Sequence, residues 1–397
     1  MLALRLARGA HPLVQLRRLL VAAASAGTGF LLLCTLAYAM EHPGAGAVLR
    51  LVWCLAPITA TVYFAVAVAR TDPGTRPRSG LSAVGLGPSR LMVLATISTA
   101  VACVLGSMVA LLFFLHLRGD VSGLPFDGAA AELLAADRPL PLAGTLTLLS
   151  LVPVAASAAS AVALRPRPAK ATGKEPGSEP ADGTDHNDPD APAPQPGGLP
   201  WGVALLAAGL AVETYASRSE AGPRSGGFPM PGGADGSPVG VLAGWALTAL
   251  GLMLAGPGLT YLCGRLLQSV RPGALRLLAG RVLQEEARRV GRPLGVLCAV
   301  ASAAYASIVL YAGPRPEAGP LTTLGGLLVA GCAVLTLATA SVEARQSRSD
   351  TTAALLRLGA PATMLRASAV LRAGALAAVF GPLTWIVAEL AALPLAP

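Results

Sequence analysis

The stretch Leu91–Leu117, LMVLATISTAVACVLGSMVALLFFLHL, runs for 27 residues without an Asp, Glu, Lys or Arg. A helix needs roughly 20 apolar residues to cross about 30 Å of hydrocarbon, so this stretch is long enough to span a bilayer. Eight other segments follow the same pattern: Leu19–Met40, Leu51–Ala69, Leu140–Leu164, Leu199–Ser217, Val239–Cys263, Pro293–Ala312, Leu321–Val342 and Ala367–Leu393. The composition agrees. Of 397 residues, 54% are hydrophobic and 13% charged, with mean hydropathy +0.62, whereas about 25% of a soluble domain is charged. The expected fold is all-α, a polytopic membrane bundle of about nine transmembrane helices.

Lys and Arg number 30 against 21 Asp and Glu, a net charge of +9. With the N-terminus in the cytoplasm and the connections alternating sides, 24 basic residues fall inside. Only Arg50, Arg118, Arg138, Arg218, Arg224 and Arg315 fall outside. That is the asymmetry of the positive-inside rule, and dropping one span would invert every later connection and spoil it. The C-terminus then lies outside, near Leu393. The surplus charge reads as anchoring a multi-pass protein in the lipid bilayer of the plasma membrane, and not as a surface for nucleic acid.

Local chemistry is sparse. Cys34, Cys54, Cys103, Cys263, Cys298 and Cys332 all sit in apolar stretches without the paired spacing of a zinc or redox motif, and read as packing residues. His11, His42, His116 and His186 are scattered singly, so no metal cluster assembles from local spacing. The first apolar run follows Arg17-Arg18 and exceeds the length of a cleavable signal core. Residues 166–198 are rich in Pro, Gly, Asp and Glu, too poor in apolar groups to fold, and read as a disordered cytoplasmic linker. The only lysines, Lys170 and Lys174, lie there, so the chain has no G-x-x-x-x-G-K-[ST] phosphate loop. No catalytic constellation and no cofactor is expected in this chain.

Self-similarity adds a second level. Ala3-Leu-Arg-Leu6, Gly9 and Arg17-Arg18 recur as Ala274-Leu-Arg-Leu277, Gly280 and Arg288-Arg289 at an offset of 271. Leu86-Gly87 and Met92 recur as Leu358-Gly359 and Met364 at an offset of 272. Two anchors at nearly one offset predict a duplicated unit. At these residues the chain resembles the FtsX-like permease family of ABC transporters. Members begin each unit with a basic amphipathic segment, here Leu4–Arg18 and Leu275–Arg292. Between the second and third helices they carry a charged cluster followed by an A-L-L-R-A-L-G-A-like run, matched by Arg345–Ala360 and more weakly by Arg76–Ser89.

The resemblance implies a first unit of four spans at 1–165, the linker at 166–198, two connecting spans at 199–271, and a second unit of three spans at 272–397. It implies a separate ABC ATPase subunit as partner and leaves room for an accessory membrane protein or lipoprotein. Leu86, Gly87, Arg357, Leu358 and Gly359 become candidates for ATPase contact. Arg276, Arg281, Arg288 and Arg289 mark a coupling helix along the inner leaflet, with Leu275, Leu278 and Val282 as its apolar face. Departures are plain too. Glu41–Leu49 and Gly313–Pro320 are short turns where family exporters often carry large outer domains. A tenth span is missing, unless the last segment folds as a re-entrant pair around Gly381-Pro382. The leading expectation is a permease coupled to export or extraction of an amphipathic or peptide-like substrate. The alternative is a non-transporting membrane scaffold or signalling partner derived from the same fold.

Within the spans, Glu213 and Glu389 are the intramembrane acids to weigh as substrate or proton paths. Both fall toward outer ends, which favours interfacial carboxylates. Gly240 and Gly244 form a small-xxx-small pair suited to close helix contact.

Overall fold

A computed structural model describes residues 12–71, 88–121, 128–165, 196–219, 239–269, 273–311, 319–359 and 361–392. Among them every regular element is a helix: α1 (Pro12–Glu41), α2 (Ala45–Trp53), α3 (Leu55–Thr71), α4 (Pro88–Arg118), α5 (Leu142–Ala163), α6 (Leu199–Ser219), α7 (Val239–Ser269), α8 (Ala274–Tyr311), α9 (Pro320–Ser347), α10 (Ser349–Arg357) and α11 (Ala362–Ala392). Nine apolar stretches among the described residues are long enough to cross a bilayer, and each overlaps an expected span, the seventh starting at Ala274 and not at Pro293. The second is broken at Cys54 into α2 and α3, three residues before Pro57, which has no amide hydrogen to extend the ladder. The last is one continuous 31-residue helix with Pro382 inside it. The re-entrant pair is not formed.

The decisive stretch shows how such a helix is used. Along α4, Leu91, Ala95, Thr99, Ala102, Cys103, Gly106, Ser107, Ala110 and Phe114 are buried. Val93, Leu94, Ile97, Val101, Leu105, Met108 and Leu112 are about half exposed. The small side chains face the bundle and the large aliphatic ones face outward, an arrangement that would leave a wide apolar patch in water and suits a lipid surround. The architecture is that of a multi-pass membrane protein.

Small residues set the packing distances. A Cβ on Gly106 would collide with the Ala22 carbonyl of α1, and Ser25 Oγ donates to the Cys103 carbonyl at 2.9 Å. Ser107 Oγ reaches across to the Leu149 carbonyl of α5 at 3.0 Å. One end of this α1–α4–α5 group is closed by residues 128–140, where Leu134 joins a core with Leu33, Cys34, Phe114 and Leu149, and Ala130 packs against it. Arg118, 4% exposed, donates to the Arg138 carbonyl, and Arg138 donates to that of Met40. The opposite end is basic. Arg18 of α1 lies beside Ala69 and Ala95, and Arg70 and Arg292 both act electrostatically on Tyr63.

The helices form two groups joined at α3 and α9. In one, α1 packs on α4 and α5; in the other, α7 packs on α6 and α8, and α8 on α11. Thr28, Thr61 and Cys332 make a polar thread across the join. Thr28 and Thr61 hydroxyls are 2.8 Å apart, and Thr61 Oγ1 lies 4.0 Å from Cys332 Sγ. Those last two residues are 271 positions apart. Shifted by 271, α3 falls on 326–342, inside α9; shifted by 272, α4 falls on 360–390, against α11.

Candidate functional site

At the basic end the longest helix, α8, runs 38 residues, about 57 Å at 1.5 Å per residue and well beyond a 30 Å core. Its N-terminal half is the segment expected to lie along the inner leaflet. It is continuous with the span, Pro293 lying inside the helix, and packs along the end of α7. A Cβ on Gly264 would come within 2.6 Å of the Gly280 carbonyl, and one on Gly291 within 2.6 Å of Pro257 Cα. The buried face is Ala279, Leu283, Glu286 and Ala287. The expected apolar face of Leu275, Leu278 and Val282 is only half-buried. Backbone contact at glycines, which a hydrophobicity pattern ignores, sets the rotation of the helix. Arg276 is half-buried, while Arg281, Arg288 and Arg289 are exposed on this extension. Arg281 and Glu285 pair at 3.7 Å, both more than half exposed, a contact worth little.

A second ion pair ties this extension to the other half of the site. Arg348 Nε stands 2.7 Å from Glu286 Oε1, with side-chain exposures of 26% and 11%. The same Nε donates to the Ala344 carbonyl at 3.0 Å. Arg348 is the residue between α9 and α10, so the pair fixes where the chain turns out of the long helix. The nine-residue α10 then presents Leu356, 47% exposed, and Leu358, 84% exposed, caps its C-terminal end. Gly359, at φ 90°, turns the chain away in the left-handed conformation that ends many helices. Arg357 is exposed beside them. Thus α10 and the α8 extension share one end, joined by Arg348 and Glu286. Leu86 and Gly87 lie outside the described residues. The Arg348–Glu286 pair went unseen in the sequence because 62 positions separate its members and no local spacing relates the two segments that carry them.

The two acids diverge. Glu213 is fully buried on α6: Trp245 Nε1 of α7 donates to its Oε1 at 2.5 Å. Its Oε2 has no hydrogen-bond partner among the described residues. Gly244 admits this approach, since a Cβ there would meet Glu213 Cβ at 2.9 Å and the Gly209 carbonyl at 2.8 Å. Glu389 is half-buried and accepts from Tyr305 Oη at 2.8 Å. All six cysteines are buried and free, as packing residues should be. Among the described residues no group of three metal-ligating side chains forms. Against known protein families, characterised proteins and solved structures, the chain finds no match.

Proposed function

We propose that the chain is an FtsX-like permease subunit of an ABC transporter, coupling a separate ATPase to export or extraction of an amphipathic or peptide-like substrate. The observation that carries the reading is α10. A nine-residue helix between two membrane-length helices exposes Leu356, and its C-cap exposes Leu358, at the basic end of the bundle, where an apolar side chain gains most from a protein partner. In this reading the basic end faces the cytoplasm, Arg357, Leu358 and Gly359 meet the ATPase, and the Arg348–Glu286 pair passes its displacement to α8. Arg276, Arg281, Arg288 and Arg289 anchor the extension that moves.

The connection from α1 to α2 spans only residues 42–44, too short for an outer substrate-capturing domain, and this favours the non-transporting scaffold as the second reading. Co-purification separates the two. The permease reading expects a P-loop ATPase to accompany the detergent-solubilised protein, to be lost on Leu358→Asp, and to be stimulated by substrate in proteoliposomes. A stable assembly with no ATPase would overturn it, and an ATPase that no substrate stimulates would favour the scaffold.

A further inference from the structure

The seam between α6 and α7 encloses two polar atoms without partners. Glu213 is wholly buried within the span Leu199–Ala216, and only its Oε1 is bonded, to Trp245 Nε1. Glu213 Oε2 and Thr248 Oγ1, the latter on a side chain 6% exposed, have no hydrogen-bond partner among the described residues. They share one place on the seam. A Cβ on Gly209, one turn before Glu213, would collide with Thr248 Oγ1, and one on Gly244, one turn before Thr248, would meet Glu213 Cβ at 2.9 Å. Gly202 lies against Ala255 and Gly240 against Ala216, so the two helices are antiparallel. Side chains lean toward the N-terminus of their own helix. Glu213 therefore leans toward Gly209, where Thr248 Oγ1 sits, and Thr248 leans back toward Gly244, which Glu213 touches.

No cation balances the carboxyl. Between Val239 and Thr260, α7 carries no ionisable side chain. On α6 itself, Tyr215 is 77% exposed, and Arg218, five residues on, stands about 140° round the helix. The other helix touching α6 is α11, which carries Arg366 and Arg372 in its first three turns and Glu389, tied to Tyr305, near its end. A charge sealed in an apolar place without a counter-ion is so costly that the group is neutralised instead. Backbone contact at Gly209 and Gly244 leaves no room for a hydrated metal ion, so the cation that fits is a proton.

We propose that Glu213 and Thr248 form a proton-binding site, with the proton held on Glu213 Oε2 and shared with Thr248 Oγ1. Losing it leaves a bare charge in the seam, which opposes the close approach of α6 to α7. The assignment does not rest on the transport reading.

Infrared spectroscopy of the full chain in mild detergent tests it, because the C=O stretch of a protonated carboxyl is resolved from that of a carboxylate. At about pH 8 exposed Asp and Glu are ionised. The unaltered chain should still show a protonated-carboxyl band, lost in Glu213→Gln, kept in Glu389→Gln, and moved to higher frequency in Thr248→Val, which removes the acceptor. The folded chain then holds a proton that the unfolded chain releases, so stability falls as pH rises. The drop in Tm from about pH 6 to about pH 9 should be at least halved in Glu213→Gln. Absence of the band from the unaltered chain, its survival in Glu213→Gln, an unmoved band in Thr248→Val, or an equal drop in Tm for Glu213→Gln would each overturn the proposal. If Glu213→Gln does not fold, Thr248→Val decides, since it keeps the acid and must move the band.

Discussion

Glu213 and Glu389 have the same side chain and similar places along their helices, yet one is sealed in protein and the other is half-open. The difference lies in their neighbours. Gly209 and Gly244 bring the backbones of α6 and α7 close enough to enclose Glu213, and Trp245 supplies its hydrogen bond. A buried acceptor stripped of its donor loses about 1–3 kcal/mol. Trp245→Phe should therefore destabilise the protein by about that much, whereas Glu213→Gln, which keeps a carbonyl oxygen for the indole, should cost less. Denaturant unfolding in detergent checks the order, and a larger loss for Glu213→Gln would contradict the geometry.

At the scale of elements, glycines fall into two kinds that look alike in the sequence. Gly256 on α7 faces Gly291 on α8, and a Cβ there would collide with the Gly291 carbonyl oxygen. Gly331 on α9 has nothing within 4 Å of its Cβ position. Gly256→Ala should destabilise by about 1–3 kcal/mol as α7 and α8 are pushed apart. Gly331→Ala should be neutral or stabilising by up to about 1 kcal/mol through helix propensity. Thermal melts of the two variants side by side test the pair. The same close approach explains α8. Its extension is held against α7 through Gly264 and Gly280, so a basic segment composed like an inner-leaflet helix packs on a neighbouring helix and is continuous with the span.

For the whole molecule, the join between α3 and α9 is the feature with most reach. Two copies of one unit related by a two-fold axis bring equivalent residues face to face only where the axis passes. Thr61 and Cys332 are separated by the repeat offset and lie 4.0 Å apart. In the duplication expected from the sequence, six spans precede the second unit, so both units would enter the membrane in the same direction, as parallel repeats about the membrane normal do. Thr61→Cys should form a disulfide with the native Cys332 under mild oxidation. With a protease site placed within residues 166–195, the cleaved chain should run as one band without reductant and two with it. Adding Cys332→Ser should abolish the link, and two bands under oxidation would disprove the contact.

The sequence alone determined the number of long helices, their limits to within a few residues for most spans, and the concentration of charge at one end. Each follows from local composition: a bilayer's thickness sets a length, and charge avoids hydrocarbon. It did not determine which face of each helix turns inward. Leu91–Leu117 is apolar all round, so no periodicity separates its bundle face from its lipid face. Leu275, Leu278 and Val282 made an apolar stripe that was not the buried one. Nor did it reveal the Arg348–Glu286 pair, the burial of Glu213, or the meeting of Thr61 with Cys332. In lipid the hydrophobic effect does not sort the faces of a helix, and close fit between small residues does. That fit belongs to pairs of helices distant in the chain, so only the tertiary structure decided it.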